Sequence, residues 1–163
     1  MDKLQFIKNK IIDINELKNK KAYWKFTEQR IVFTNGCFDI IHRGHIEYLA
    51  QAASYADIMI VGLNTDKSIK KIKGENRPIN NELSRAITIA SLQFVNFVIM
   101  FNEETPYNLI SEIVPDVLIK GSDYNKKDIV GYDIVKNNGG EIVTIDIIKG
   151  YSTTLIIDKI KKS

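Results

Sequence analysis

From residue 31 to residue 160 the chain alternates short apolar runs with stretches of helical spacing, and that alternation restricts the fold more than any other feature. The runs IVFT (31–34), IMIVGL (58–63), VNFVIMF (95–101), VLI (117–119) and EIVTIDII (141–148) are interleaved with GHIEYLAQAASYA (44–56), NELSRAITIASL (81–92), PYNLISEIV (106–114) and GYDIVKNNG (131–139); STTLIIDKI (152–160) closes the series. This βαβα order predicts an α/β, Rossmann-like fold: a doubly wound parallel sheet with helices on both faces, in a single domain. The runs at 58–63 and 141–148 are continuous rather than alternating, the pattern of a strand buried on both faces. Helical spacing puts Ile46, Leu49, Ala50 and Ala53 on one face, and Leu83, Ala86, Ile87 and Ala90 on another. Thr105-Pro106 reads as a cap followed by proline at the first helical position. Residues 1–29, lysine-rich and weakly helical, are expected to form an N-terminal appendage packed on the sheet domain of residues 30–163.

Composition narrows the function classes. Lys and Arg number 23 against 20 Asp and Glu, a formal charge of +3, so no broad basic field points to a nucleic-acid partner, and any anion should be bound locally. No stretch approaches the roughly 20 apolar residues of a membrane span, and the first residues lack a compact apolar segment with a cleavage site. Cys37, the single cysteine, has no partner for an internal disulfide, which fits a reducing compartment. The expectation is a cytoplasmic protein with no membrane contact.

Ligands of open α/β sheets collect at the carboxyl ends of the strands, where the first strand hands over to its helix. TNGCFDIIHRGH (34–45) occupies that position and holds both histidines, His42 and His45. Thr34, Asn35 and Gly36 end the strand, Gly36 lets the backbone approach a ligand, and Gly44 opens the helix so that its free amides face an anion. Neither GxxxxGK[ST] nor GxGxxG follows any strand. Metal binding by the histidines lacks further ligands at a suitable spacing. A packed turn and a set of donors to phosphate remain, the second favoured by two converging imidazoles. Asp39 either orients these histidines or stabilises the turn through backbone amides. Ser152-Thr153-Thr154 stands just before LIIDKI, as a plain cap or as hydroxyls that bind phosphate with the first amides of that helix. Lys120, Gly121, Ser122, Asp123 and Tyr124 follow the strand VLI; they form either a β-turn or a place where Asp123 accepts hydrogen bonds from sugar hydroxyls.

Thr34-Asn35-Gly36-Cys37-Phe38-Asp39 followed by His42-Arg43-Gly44-His45 resembles the (T/N)GxFDxxHxGH motif of the cytidylyltransferase-like nucleotidyltransferases. Gly62-Leu63-Asn64-Thr65-Asp66, Lys73-Gly74, Arg77-Pro78-Ile79-Asn80, Arg85, Lys120-Gly121-Ser122-Asp123-Tyr124 and Gly150-Tyr151-Ser152-Thr153-Thr154 are similar, in order, to the adenylyltransferase domain of bacterial ADP-heptose synthesis enzymes. The resemblance covers nearly the whole chain from about residue 25. It implies transfer of AMP from ATP, with Mg²⁺, to D-glycero-β-D-manno-heptose 1-phosphate, with loss of pyrophosphate. It implies catalytic roles for His42, His45 and Lys73, with Lys70 or Lys71 as substitutes for the last. By the same resemblance the nucleotide is bound by Thr34, Asn35, Gly36, Cys37, Phe38, Asp39 and Gly44 and by Gly150, Tyr151, Ser152, Thr153 and Thr154. Arg85, Lys120, Gly121 and Asp123 are implied on the acceptor, although Arg85 has the alternative of pairing with Glu82. No protein metal site is expected, since no clustered carboxylates are found to cage Mg²⁺. Glycerol-phosphate cytidylyltransferases carry an arginine before the STT element, whereas Asp146-Ile147-Ile148-Lys149 stands here, which disfavours a cytidylyl reading with an alcohol phosphate. A homodimer is expected, and a sugar kinase on a separate chain, because 163 residues leave no room for one.

Overall fold

The computed structural model describes residues 2–162. Two helices, α1 (Lys3–Lys8) and α2 (Ile14–Phe26), precede the first strand. Then follow β1 (Ile31–Gly36), α3 (Arg43–Ala53), β2 (Ile58–Asn64), α4 (Asp66–Lys73), α5 (Glu82–Ala90), β3 (Phe97–Phe101), α6 (Tyr107–Ile113), β4 (Val117–Gly121), α7 (Tyr132–Asn137), β5 (Glu141–Ile145) and α8 (Thr153–Lys162). The five strands form one parallel sheet in the order β3-β2-β1-β4-β5.

Strand side chains alternate between two cores, as the twofold period of a pleated strand requires. Phe33, Ile60, Ile99 and Leu118 point to one face, covered by Leu17 and Trp24 of α2, Leu109, Ile110 and Ile113 of α6 and Val135 of α7. Val32, Met59, Val61, Val98 and Ile119 point to the other, covered by Leu49 and Ala52 of α3 and by Ala86, Ile89 and Ala90 of α5. Burial on both faces explains the unbroken apolar run of β2, every residue of which is buried.

The second continuous run behaves differently. Its strand stops at Ile145, Glu141 is exposed and Ile147 is 51 % exposed, because β5 is an edge strand whose packed side chains are Ile142 on one face and Val143 and Ile145 on the other. On α5 the buried face is Arg85, Ala86, Ile89 and Ala90, a rotation from the expected stripe that leaves Leu83 exposed. Pro106 is the N-cap of α6 and makes no side-chain cap bond, so the helix starts at Tyr107 and Thr105 does not cap it.

The N-terminal segment is helical and built into the core. Its Ile12, Leu17 and Trp24 are buried with the residues of one sheet face, and the Trp24 ring lies 5.2 Å from that of Phe97. Between α1 and α2 the backbone pairs with the outer edge of β3: Ile12 N–H donates to Val98 at 3.0 Å, and Val98 N–H donates to Lys10 at 2.8 Å. That pairing covers a strand edge otherwise open to association.

Sheet order determines where a ligand can sit. From β1 the chain steps outward to β2 and β3, then returns to β4 on the other flank of β1. The loops after β1 and β4 therefore diverge and leave a crevice at their carboxyl ends.

Candidate active site

A cavity of about 410 Å³ fills that crevice, with residues from the β1–α3 loop, α3, the end of β4 and the start of α8 in its wall. His42 is the N-cap of α3: its Nδ1 accepts from the backbone N–H of His45 at 3.3 Å. An Nδ1 that accepts a hydrogen bond leaves the proton on Nε2, so the free edge of the His42 ring is a donor. The His45 ring stacks on it, with centroids 3.7 Å apart and planes 18° from parallel, while Phe38 packs edge-on against His45 at 5.2 Å.

Two stacked imidazoles beside a lysine cannot both be charged cheaply. Burial, reinforced by the neighbouring His42 and Lys73, pushes the His45 imidazole down to about 4, against a weaker opposing pull from the Ile40 carbonyl. Burial lowers His42 as well. Both rings are therefore neutral donors near neutral pH. Nδ1 of His45 is buried without a hydrogen-bond partner among the described residues.

Gly44 makes this close approach easy: a Cβ there would stand 3.2 Å from His42 Nδ1 and 3.2 Å from Cβ of Tyr151, a tight fit. The backbone of α3 can thus pass beneath the ring of its own cap and against the entry to α8. Gly150, at φ +85°, makes the turn that delivers Tyr151, and the Arg43 guanidinium lies 5.7 Å from the Tyr151 ring. Ser152 caps α8 by accepting from Leu155 N–H at 3.1 Å, and the Thr153 hydroxyl donates to the Ile40 carbonyl at 3.4 Å, tying that helix start to the histidine loop. Ser152, Thr153 and Thr154 consequently line the cavity together with His42 and His45. Helix N-terminal amides, hydroxyls and imidazole N–H groups facing one space form an anion site suited to a chain of phosphates.

On the β4 side, Lys120 Nζ bonds to Asn35 Oδ1, which joins β4 to β1 across the crevice. Burial pushes the Lys120 ammonium down to about 8, with Asp123 and Cys37 pulling the other way. Asp123 and Tyr124 are exposed at the rim. On the opposite side, Lys73 is the lysine of α4 that lines this cavity; Lys70 pairs with Glu75 at 3.7 Å, and Lys70 and Lys71 border a separate surface hollow.

Most of the expected site residues are thus brought together, and three are not in the cavity wall. Gly150 serves the turn. Thr34 is fully buried behind the site, donating to the Ile119 carbonyl at 3.0 Å and sharing a 2.8 Å hydrogen bond with the Tyr48 hydroxyl. Arg85, expected on the acceptor, is 1 % exposed and has every nitrogen occupied: Nε donates to Asn80 O at 3.0 Å, Nη1 to Cys37 O at 2.7 Å and Nη2 to Asp66 Oδ1 at 2.7 Å. It braces the loop behind the site, buried and outside the cavity wall. Asp39 is likewise spent on protein groups, its carboxylate accepting from Ile79 N–H at 2.9 Å and Asn80 N–H at 2.9 Å. It fastens the segment after α4 to the β1–α3 loop.

Tyr48, Arg77, Tyr124 and Ile147 line the cavity without having been assigned to it from sequence. Tyr48 follows His45 by three residues on α3, so helical spacing carried a signal for it. Arg77 stands in one of the stretches that carry the resemblance but was given no role, because its place depends on an ion pair with Asp39, 38 positions earlier in the chain.

No group of three or more His, Cys, Asp or Glu side chains suited to a metal occurs among the described residues. The carboxylates in the cavity wall are Asp39, already engaged, and Asp123 at the rim, so the residues present do not fit a protein-held Mg²⁺. No described helix is long and apolar enough to cross a membrane.

A parallel sheet with a histidine pair after its first strand, facing a Ser-Thr-Thr helix start across the switch point, defines a nucleotide-handling transferase domain. Residues 33–159 match the family described as cytidylyltransferase-like, and the chain belongs to that family. It is 49 % identical over 151 residues to the bifunctional protein HldE of Campylobacter concisus, covering 93 % of this chain and 30 % of that protein. It is 53 % identical over 137 residues to the protein of the same name from Campylobacter jejuni subsp. doylei, covering 84 % of this chain and 29 % of that one. The chain therefore spans about a third of the length of these curated relatives. Among solved structures, a lipopolysaccharide core biosynthesis protein from Thermoplasma volcanium superposes with a TM-score of 0.61 at 28 % identity, covering 76 % of this chain and 99 % of that one. A pantoate-beta-alanine ligase from Francisella tularensis shares the fold, with a TM-score of 0.61 at 18 % identity, covering 94 % and 78 % of the two chains.

Proposed function

We propose that this domain transfers the adenylyl group of ATP to D-glycero-β-D-manno-heptose 1-phosphate, giving ADP-heptose and pyrophosphate. The observation that carries the transferase reading is the stacked pair His42 and His45 set beside the Ser152-Thr153-Thr154 helix start in one cavity. The choice of ATP and of the heptose rests on the order of short motifs shared with ADP-heptose synthesis enzymes and on the likeness to HldE proteins.

In the reaction, an oxygen of the sugar phosphate attacks the α-phosphorus of ATP. One P–O bond forms, the α–β P–O bond breaks in line with it, and pyrophosphate leaves with the bonding electrons. Such a displacement needs positioning and charge neutralisation more than covalent help. His42 Nε2–H and the His45 ring donate to the α-phosphate and the bridging oxygen; as neutral groups they need not exchange a proton. Hydroxyls of Ser152, Thr153 and Thr154 with the first amides of α8 receive the β- and γ-phosphates, and Lys73 adds positive charge beside the histidines. Asp123 accepts from sugar hydroxyls at the β4 rim. No residue of this chain is assigned to hold Mg²⁺, which bound to the triphosphate would supply charge neutralisation. A sugar kinase is the partner activity that provides the anomeric phosphate.

Pyrophosphate release measured with ATP and CTP, each against heptose 1-phosphate and glycerol 3-phosphate, tests the proposal. Turnover confined to ATP with heptose 1-phosphate is expected; turnover of CTP with glycerol 3-phosphate would make the enzyme a cytidylyltransferase instead.

A further inference from the structure

Two arginines approach the histidine loop from the same side, and they are used oppositely. Arg85 spends all its nitrogens on protein oxygens. Arg77 stands in the cavity wall with its side chain only 17 % exposed, and its ion pair runs through Nε, 3.2 Å from Asp39 Oδ2. No hydrogen bond to a described residue occupies its Nη1 or Nη2. Asp39 cannot turn to meet them, because its carboxylate is held by the Ile79 and Asn80 amides and its side chain is 2 % exposed. A mostly buried guanidinium anchored at Nε, with its other two nitrogens free at a cavity, is set up to receive a second anion through a two-pronged bond.

The sheet order says which anion. β2 lies on one flank of β1, and β4 and β5 lie on the other. The pyrophosphate part of the nucleotide belongs with the start of α8, which follows β5, and the α-phosphate with the histidines above β1. Lys73 ends α4 and Arg77 lies in the α4–α5 connection, both of which follow β2. An in-line displacement brings the attacking oxygen to the face of the α-phosphorus opposite the leaving pyrophosphate, which is the β2 side. We propose that Arg77, anchored by Asp39, binds the phosphate of the acceptor through Nη1 and Nη2 and holds its oxygen in line with the α-phosphorus. The role expected of Arg85 thereby passes to Arg77. This assignment rests on the transferase reading above.

The test is steady-state kinetics of the whole chain and its Arg77→Ala and Arg77→Lys variants, using whichever phosphomonoester the wild type turns over. KM for ATP and the rise in Tm caused by ATP are measured alongside. Loss of a charge-assisted pair should raise the acceptor KM about 10- to 100-fold in Arg77→Ala. The KM for ATP and the ATP-induced rise in Tm should be unchanged, and Arg77→Lys, which keeps the charge but not the fork, should recover part of the loss. If Arg77→Ala does not fold, Arg77→Lys decides alone, with a raised acceptor KM at unchanged ATP KM supporting the proposal. An unchanged acceptor KM, or an ATP KM raised as much as that of the acceptor, overturns it. Absence of turnover with any phosphomonoester in the wild type would instead sink the transferase reading, and this inference with it.

Discussion

His45 concentrates the chemistry of the site in one ring. Its Nδ1 is buried without a hydrogen-bond partner among the described residues, its face is covered by His42, and its titration is pushed down to about 4, chiefly by burial. In an unfolded chain the same group titrates near 6.5. Between those values the unfolded state binds the proton and the folded state does not, so stability is lost as pH falls from about 6.5 to 4 and is fully present above that window. With two histidines in the sequence, an NMR titration resolves both rings, and a single variant assigns them. The His45 resonance should stay in its neutral position through pH 5.5; a midpoint near 6.5 would show that the ring is neither desolvated nor crowded by Lys73. The wild type should also lose stability relative to His45→Asn as pH is lowered through the same window.

At the scale of elements, the connections between them hold the site together. Arg85 on α5 joins Asp66 at the start of α4, Cys37 in the β1–α3 loop and Asn80 in the α4–α5 connection. Replacing it by methionine leaves two carbonyls and the partly buried Asp66 unpaired. We expect a loss of about 3 kcal/mol, the lower end for breaking a buried pair, read by urea denaturation; a loss under about 1 kcal/mol, the scale of an exposed ion pair, would mean that the brace is dispensable. The TNGCFDIIHRGH stretch and the STT cap were legible in the sequence because each is local: a strand end, a helix start and the spacing between them. The roles of Arg85 and Arg77 were not. Both depend on partners brought near by the return of the chain from β2 to α5, and an isolated arginine carries no mark of whether its nitrogens will be satisfied. The burial phase of α5 was missed for the same reason, since an arginine occupies its apolar face.

Across the whole molecule, the alternation of strands and helices and a ligand site at the end of β1 were readable in the sequence, whereas the strand order that opens the crevice between β1 and β4 was not. The first 29 residues read as weakly helical, and α2 meets the core through Leu17 and Trp24, with Ile14 packed beside them. Since Trp24 is the single tryptophan and is 5 % exposed, its fluorescence reports whether the segment unfolds with the sheet. Trp24 emission and far-ultraviolet circular dichroism should give one coincident urea transition. Trp24→Ala, followed by circular dichroism, should cost about 3–5 kcal/mol; an early, separate fluorescence transition would mean that the segment unfolds independently of the sheet.

The central claim is that the neutral histidine pair and the α8 start together drive transfer at the α-phosphorus. Its most direct test follows ATP labelled at that atom, with heptose 1-phosphate as acceptor, in the wild type and in His45→Ala. The label should pass entirely into the nucleotide sugar with unlabelled pyrophosphate released, and His45→Ala should slow that transfer about 100- to 1,000-fold while ATP binding changes little. Label appearing in free AMP without sugar adduct, or a His45→Ala rate close to that of the wild type, would contradict the account.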